Sequence, residues 1–158
     1  MSILAYLMEE MTKIPYPNTE SVCACKVSLD LLGDRWTLII IRDLFRGKNT
    51  FSQFLNNDEH ISSNVLVDRL KKLRSLEIIG FLKNEKDKKI KEYFLTDRGV
   101  DLYPIIFELQ LWSTNHVNFN ASDNTKKWVS SVKTNAKHDI IKKYQENYKK
   151  LRFDTFGF

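Results

Sequence analysis

Hydrophobic residues recur at helical spacing along most of this 158-residue chain, and one strand-like segment interrupts the pattern. It consists of two short runs, residues 81–84 and 91–95, on either side of five consecutive charged residues. Apolar and polar residues alternate in the second run, which predicts a strand, so the two runs together predict a β-hairpin. The chain is therefore expected to fold as a mainly α protein with one small hairpin.

Between residue 22 and the hairpin four helices are predicted, over about residues 22–32, 36–45, 50–55 and 61–77. Gly33 and Gly47 are expected to end the first two, and Thr50 or Ser52 to open the third. The second is apolar almost all round, which in a chain of this size predicts a buried central helix. The fourth has leucines at helical spacing and is expected to end at Gly80.

Two helices are predicted after the hairpin. Thr96 and Asp97 are expected to cap the first, which continues to about Val117 with a bend at Pro104. The second is predicted as one helix of about seven turns that starts near residue 122. Apolar residues recur every four positions through residues 128–151, which predicts one apolar stripe along that helix.

Apolar residues within positions 3–11 predict a short amphipathic helix, ended by a proline-containing turn at 15–18. Candidate N-caps for the following helix are Asn18, Thr19 and Ser21. The first eleven residues contain no Lys or Arg, unlike a secretory signal, and no run approaches 18 uncharged apolar residues. We therefore expect a cytoplasmic protein without membrane contact.

Basic residues are concentrated in two parts of the chain, whose net charge is +5. Residues 119–158 hold nine Lys and Arg against four Asp and Glu, whereas residues 1–118 hold sixteen of each. Within that balanced part, residues 69–91 hold nine basic side chains against three acidic ones, and the stretches on either side are acidic. A basic segment framed by acidic ones is the electrostatic pattern expected of a nucleic-acid contact.

Short helices followed by a basic hairpin predict a winged helix-turn-helix, in which the helix before the hairpin enters the major groove of DNA. With Leu66 at the centre of the buried face, the helical period exposes side chains that can read base edges. Hydroxyls and free amides at the start of that helix can bind phosphate. The candidate DNA-contacting residues are Ser62, Ser63, Asn64, Val67, Asp68, Arg69, Lys71, Lys72, Lys86, Lys88, Lys89 and Lys91.

Each of these features also has a plainer interpretation. A charged helix face is usually only solvated and a Lys-rich turn is usually only a turn, so the prediction rests on their order and proximity. Arg69 lies at the edge of the buried face, where a structural ion pair or a phosphate contact is favoured over base reading. A winged helix that binds only protein, without specific DNA binding, stays open as an alternative.

Motifs between Cys23 and Trp112 follow the order found in a known family. They are Cys23, 29–33, 35–44, Gly47, 51–54, 61–62, Leu66, 69–70, Leu73, Gly80, 92–99, Leu102, Pro104 and Trp112. On these residues the chain, over about positions 20–117, resembles the bacterial HxlR family of winged-helix transcriptional regulators, which is related to the MarR group. The resemblance implies a homodimer, held by the first helix and the helix after the wing, that reads a pseudo-palindromic operator.

The chain departs from the family pattern at several positions. Asn64 stands where Lys is common, Thr50 replaces a usual Arg, and the hairpin lacks the usual proline. The operator preference and one phosphate contact are therefore expected to differ. The predicted helix at 122–152 lies outside the pattern, and the sequence leaves open whether it adds to the dimer interface or wraps its own domain.

The chain has two cysteines, Cys23 and Cys25, and the resemblance matches Cys23 to a cysteine that several relatives use to sense oxidants or electrophiles. Its place at the start of a helix, and the charge of Lys26, both favour the reactive thiolate. Any disulfide must join two subunits, join these close neighbours or recruit a small thiol. The alternative, that both cysteines are small apolar fillers, stays open.

The sequence favours a transcriptional regulator over an enzyme. It has no glycine-rich phosphate loop, nucleophile elbow or cluster of His and carboxylates. No cofactor or metal is expected, double-stranded DNA is the expected partner, and room remains for a small-molecule effector. An enzyme built on Cys23 and His116 stays open, although nothing orients that pair. The chain is divided into an N-terminal helical arm (1–18), a winged helix-turn-helix DNA-binding domain (19–118) and a C-terminal amphipathic helical extension (119–158).

Overall fold

The computed structural model describes residues 12–17 and 20–158. The helix predicted for residues 3–11 and the candidate caps Asn18 and Thr19 lie outside these residues. Most of the described chain is helical, and it contains one two-stranded antiparallel sheet, as the sequence predicts. Within the described part, no helix is both long enough and apolar enough to cross a membrane.

The first half of the described chain is helical. Its helices are α1 (Ala24–Leu32), α2 (Arg35–Phe45), α3 (Phe51–Leu55) and α4 (Ser63–Ser75). Polar caps fix two of the starts: Asp34 accepts a hydrogen bond from the Thr37 amide, and Thr50 forms a reciprocal capping box with Gln53. The four helices predicted here are confirmed, with Thr50 rather than Ser52 as the cap of α3.

Helix α2 lies in the core, as its apolar composition predicts. Ile40, Ile41 and Leu44 are buried in one cluster with the leucines of α4 and with β-strand residues. Burying an aliphatic side chain of this size stabilises a fold by about 1.5–3 kcal/mol. The carboxylate of Asp43 is buried in the same helix, where the Arg42 guanidinium binds it at 2.8 Å. Arg42 also binds Glu59, and this second ion pair joins α2 to the loop before α4.

Helix α4 ends earlier than predicted, and Gly80 does not close it. The chain turns at Glu77, whose φ of 54° lies in the left-handed region that glycine usually occupies. The Glu77 amide donates to the Arg74 carbonyl and the Ile78 amide to the Leu73 carbonyl, at 2.9 and 3.0 Å. These two bonds form a Schellman motif that satisfies the last carbonyls of the helix. Gly80 instead lies in a strand, where an added Cβ would meet a phenylalanine ring at 2.6 Å.

The sheet consists of β1 (Ile79–Lys83) and β2 (Lys91–Leu95), which pair antiparallel. Strand β1 starts two residues before the predicted position, and β2 has the predicted bounds. The Tyr93 amide donates to the Asn49 carbonyl at 2.7 Å, so the segment before α3 lies along β2. The hairpin is thereby fixed to the helix-turn-helix and forms its wing.

The prediction of a single helix over residues 96–117 is wrong, because the structure has two helices there. Helix α5 (Asp97–Val100) is capped by Thr96, as predicted, and α6 (Tyr103–His116) follows after a short turn. Pro104 lies in the first turn of α6, where its missing amide hydrogen leaves no bond unmade. The proline expected to bend one helix therefore stands at the start of the second.

The prediction of a single C-terminal helix is also wrong. Helices α7 (Asp123–Thr134) and α8 (Lys137–Phe156) are separated at Asn135 and Ala136. Helix α7 starts at Asp123 and is capped by Ser122, so the start predicted near residue 122 is confirmed. The apolar stripe continues across the break because both helices turn it towards the core, where three of its residues are buried: Trp128, Ile140 and Tyr148.

Helix α8 is bonded to the wing. The Tyr148 hydroxyl accepts a hydrogen bond from the Leu95 amide at 2.8 Å. The Arg152 guanidinium donates to the Leu95 carbonyl at 2.9 Å and to the Asp97 carboxylate at 2.8 Å. The extension therefore packs on its own domain, which is one of the two roles that the sequence left open.

Candidate nucleic-acid interface

Helix α4 presents a polar face to solvent. Ser62 caps the helix by accepting a hydrogen bond from the Val65 amide at 3.4 Å. The residues predicted to contact DNA from its start and outer face are all exposed: Ser62, Ser63, Asn64, Val67, Asp68 and Lys71. The opposite face holds the buried Leu66, Leu70 and Leu73. The structure therefore brings these predicted residues together on one surface.

A groove of about 530 Å³ separates α4 from the wing. Lys71 and Arg74 line it on the helix side, and Lys89 and Lys91 line it on the wing side. Among the described residues, no Asp or Glu lines this groove. Four cations without a neutralising carboxylate produce a positive potential that attracts phosphate.

Phe81 holds two of these cations in place. The Arg74 guanidinium carbon lies 4.3 Å and the Lys91 ammonium 4.7 Å from the centre of its ring. Such contacts are attractive because the face of an aromatic ring is negative. Arg74 is absent from the predicted contacts, although Val67, Lys71 and Arg74 follow i, i+4, i+7 spacing, and that stripe was the signal that could have identified it.

Two further lining residues, Thr50 and Ser52, are also absent from the predicted contacts. Thr50 caps α3, and Gln53 Oε1 accepts hydrogen bonds from the Asn49 and Thr50 amides at 2.8 and 3.1 Å. The hydroxyls at the start of α3 therefore border the groove opposite the lysines. The sequence indicated Thr50 as a cap and the family resemblance placed a phosphate contact at position 50, but no local pattern indicated that α3 would begin beside the wing.

The tip of the wing is ordered by its own side chains. Asn84 Oδ1 accepts hydrogen bonds from the Lys86 and Asp87 amides at 2.9 and 3.0 Å, and Asp87 Oδ1 accepts from the Lys89 amide at 3.0 Å. Asn and Asp side chains commonly stabilise turns in this way. The four wing lysines predicted to contact DNA are exposed: Lys86, Lys88, Lys89 and Lys91.

Arg69 and Lys72 lie against Asp34 at the start of α2. Arg69 Nε is 2.8 Å from Asp34 Oδ1, and Lys72 Nζ is 3.6 Å from Oδ2. Burial opposes ionisation of this carboxyl, but hydrogen bonds from Thr37 and Arg69 lower the pKa of Asp34 to about 2. For Arg69 this is the structural ion pair that the sequence favoured, and a contact of either cation with DNA stays a prediction.

Cys23 is the N-cap of α1, and its thiol is exposed and free, as is that of Cys25. The amides of Lys26 and Cys25 point towards the sulfur and lower the pKa of Cys23, although neither reaches the geometry of a capping hydrogen bond. The Lys26 ammonium, expected to contribute, instead binds Asp30 at 2.6 Å and Tyr16 at 3.3 Å. The backbone at the helix start, rather than the lysine charge, therefore favours the thiolate.

The cysteines do not fill the core of the described chain, since both are exposed. Among the described residues, no group of three or more His, Cys, Asp or Glu side chains is arranged to hold a metal ion. The chemistry available at Cys23 is therefore that of a single accessible thiol.

Apolar side chains are exposed on two helices. No residue of α1 is buried, and Leu29 is 61% exposed. On α6, Ile105, Leu109 and Trp112 follow i, i+4, i+7 spacing and are 40%, 49% and 62% exposed. Exposed apolar patches of this kind usually mark an interface. These are the two helices that the family resemblance expects between the subunits of a dimer.

Residues 31–121 match the model of the HxlR-like helix-turn-helix family. An uncharacterized HTH-type transcriptional regulator of Mycobacterium tuberculosis is 34% identical over 90 residues, which are 57% of this chain and 56% of the relative. The uncharacterized HTH-type transcriptional regulator YvaP of Bacillus subtilis is 33% identical over 94 residues, 58% of this chain and 84% of the relative. The chain thus spans about half the length of the mycobacterial relative.

Two solved structures share the fold. The redox regulator HypR in its oxidized form matches with a TM-score of 0.55 and 26% identity, over 61% of this chain and 100% of that chain. The reduced form of the transcriptional regulator YodB from B. subtilis matches with a TM-score of 0.51 and 28% identity, over 64% of this chain and 100% of that chain. Helices α7 and α8 lie beyond residue 121 and so outside the family match.

Proposed function

The chain belongs to the HxlR-like helix-turn-helix family of transcriptional regulators, and on that premise we propose that it binds double-stranded DNA as a homodimer. The observation that carries the proposal is the groove between α4 and the wing, which is lined by four cations and, among the described residues, by no carboxylate. A winged helix that binds only protein has no need of this charge pattern, which suits the phosphate backbone.

Helix α4 is the element that enters the major groove in this proposal. Its exposed Asn64 can bond an adenine edge through two hydrogen bonds, Asp68 can accept from the cytosine amine, and Val67 can meet a thymine methyl group. Ser62 and Ser63 at the start of the helix would bind phosphate and fix the register on the duplex. The wing lysines would contact the flanking backbone and add affinity without sequence preference.

A homodimer is proposed because one winged helix can contact only a short DNA sequence. A single α4 covers a short half-site, and two copies related by a two-fold axis read a pseudo-palindrome with half-sites about one helical turn apart. The exposed apolar stripe of α6 and the unburied α1 supply the surface. Trp112→Glu should therefore give a monomer in sedimentation velocity, whereas Lys133→Glu on α7 should leave the dimer intact.

The DNA proposal is tested with an operator selected from a random pool and fluorescence anisotropy at several salt concentrations. Asn64→Ala or Lys71→Ala should weaken operator binding by about 1–3 kcal/mol and relax the preference at one position. Lys88→Ala and Lys89→Ala should weaken binding to every sequence and reduce the salt slope by about one each. Lys133→Ala is the matched control on α7 and should change neither quantity.

Two results would contradict the DNA proposal. The first is an unchanged sequence preference in both the Asn64→Ala and the Lys71→Ala proteins. The second is an affinity for DNA that does not fall with salt, because binding through phosphates releases counterions. Either result would favour the alternative of a winged helix that binds only protein.

We further propose that Cys23 makes DNA binding responsive to oxidants or electrophiles. The exposed thiol, its lowered pKa and the likeness to the redox regulator HypR support this role. Cys25 lies two residues away, too close for an unstrained disulfide. Oxidation would therefore join Cys23 to a second subunit or to a small thiol.

The sensor proposal is tested by gel shift after mild treatment with hydrogen peroxide or a quinone. Mass spectrometry should find Cys23 modified first, and the modification should change the affinity for the operator. The Cys23→Ser protein should bind DNA without responding, whereas Cys25→Ser should respond as the wild type does. An identical response of the wild type and Cys23→Ser would show that the cysteine is not the sensor.

A further inference from the structure

A second concave surface, which we name the C-terminal cleft, lies between α2, α6, α7 and α8. Its volume is about 550 Å³, and more than half of its lining residues come from α7 and α8, outside the family match. Small-molecule sites commonly measure about 300–1,000 Å³. The cleft is therefore large enough for a ligand of one or two rings, and it depends on the extension of this chain.

Aromatic rings form much of the cleft. Tyr103 stacks on Tyr144 with the ring centres 4.9 Å apart, and Phe45 meets Tyr103 edge to face at 5.1 Å. Trp128 lines the cleft beside them and meets Phe107 edge to face at 5.2 Å. Phe45 and Tyr144 are the two of these rings that are partly exposed in the cleft, and such flat walls favour a planar aromatic ligand.

Two buried polar atoms in these rings lack a partner. The Tyr103 hydroxyl and Trp128 Nε1 make no hydrogen bond with the described residues, although the two side chains are only 2% and 5% exposed. Burial raises the pKa of Tyr103, and the indole N–H is near enough to oppose that rise but outside hydrogen-bond geometry. Both atoms are inaccessible from the cleft, so they belong to its buried wall and do not themselves contact a bound molecule.

The rim of the cleft is positively charged. Arg42, Arg46, Lys127 and Lys143 line it, and no carboxylate does so among the described residues. Arg42 is bound by Asp43 and Glu59, so the other three are the cations available to a ligand. Burial and the neighbouring charge of Arg42 lower the pKa of Arg46, while the carboxylates of Asp43, Glu59 and Asp58 act in the opposite direction.

We propose that the C-terminal cleft binds a small aromatic anion. The ring lies against Phe45 and Tyr144, which are partly exposed in the cleft, and the acidic group lies among Arg46, Lys127 and Lys143. This site is separate from the DNA-contacting groove and does not depend on the proposed DNA binding. Its ligand is distinguished from other planar molecules by its negative charge, because the rim offers cations and no carboxylate.

The proposal is tested on the full chain by isothermal titration calorimetry without DNA, so failure of the DNA proposal does not affect the result. The probes are 2-naphthoate and its uncharged amide, 2-naphthamide. The naphthoate should bind at least about tenfold more tightly, because it meets several cations at once. Arg46→Gln and Lys143→Gln should each weaken naphthoate binding about three- to fivefold and leave naphthamide binding unchanged. Lys149→Gln, on α8 but outside the cleft, is the matched control.

Tyr144→Leu tests the placement of the ring, because Tyr144 is partly exposed in the cleft. The variant should weaken the binding of naphthoate and naphthamide alike, since both probes carry the same ring. Unchanged binding of both probes would overturn that placement. Equal binding of the two probes, no binding of naphthoate, or unchanged binding in both Arg46→Gln and Lys143→Gln would overturn the proposal itself.

Discussion

The replacement Asp34→Asn tests the electrostatic connection between α2 and α4. Asn is as good an N-cap as Asp, so the hydrogen bond from the Thr37 amide is retained and α2 keeps its start. The charge is lost, and with it the ion pair with Arg69 at 2.8 Å and the longer pair with Lys72. The Thr37 hydroxyl also loses its acceptor, Asp34 Oδ2 at 2.6 Å, so the change removes that bond together with the attraction between the two helices.

The expected magnitude follows from the pKa of Asp34. A carboxyl whose pKa falls from 3.8 in the unfolded chain to about 2 in the folded protein stabilises the fold by about 2 kcal/mol at neutral pH. The side chain is 29% exposed, so solvent screening reduces this figure. We expect Asp34→Asn to lower the free energy of unfolding by about 1–2 kcal/mol at pH 7.

The pH dependence has a definite sign. Because the folded pKa lies below the unfolded one, the unfolded chain binds more protons between about pH 5 and pH 2, and the stabilisation is lost as the pH falls through that window. Glu59, whose pKa Arg42 lowers to about 2, loses stabilisation in the same window in both proteins. The difference between wild type and Asp34→Asn therefore reports Asp34 alone, and it should shrink towards zero near pH 2.

Urea unfolding at pH 7, 4 and 3 measures this difference, with Arg69→Gln and the double variant completing a thermodynamic cycle. Asp30→Asn is the matched control, because Asp30 is exposed and pairs with Lys26 within its own helix, so the urea midpoint should not move. A loss below about 0.5 kcal/mol at pH 7, or a difference that does not change with pH, would refute the reasoning.

Two further stability predictions concern single backbone contacts. Glu77→Gly should raise the free energy of unfolding by about 0.5 kcal/mol, because the relief of left-handed strain exceeds the loss of the partly exposed ion pair of Glu77 with Arg98 at 3.4 Å; a lower urea midpoint would contradict this. Tyr148→Phe should lower it by about 1–3 kcal/mol, because the Leu95 amide loses the acceptor at 2.8 Å. The Leu95 amide hydrogen should exchange faster in that variant. An unchanged exchange rate would show that the bond from Leu95 to Tyr148 does not stabilise this end of β2.

The sequence determined the features that depend on residues close to one another along the chain. The buried position of α2, the capping of α3 by Thr50 and the bounds of β2 follow from hydrophobic period, cap chemistry and alternation. The exposed face of α4 was predictable for the same reason, since a helix with a leucine stripe must turn its other side chains to solvent. The exposed lysines of the wing follow from a charged run between two strands.

The ends of several elements were not predictable from the same patterns. The pattern predicts a helix end at Gly80, but the chain turns three residues earlier at Glu77, through a conformation that a Glu residue rarely adopts. The break at Asn135 and Ala136 was hidden because the apolar spacing continues across it. In both places packing against the rest of the domain outweighs local preference.

Only the tertiary structure decided which distant groups meet. The contact of Arg69 with Asp34 joins residues 35 positions apart, and that of Tyr148 with Leu95 joins residues 53 apart. The charges and hydroxyls are visible in the sequence, but the helical period fixes only the face on which each lies. Which faces come together depends on how the helices pack around one core, so the docking of α8 on the wing and the C-terminal cleft had no local signal.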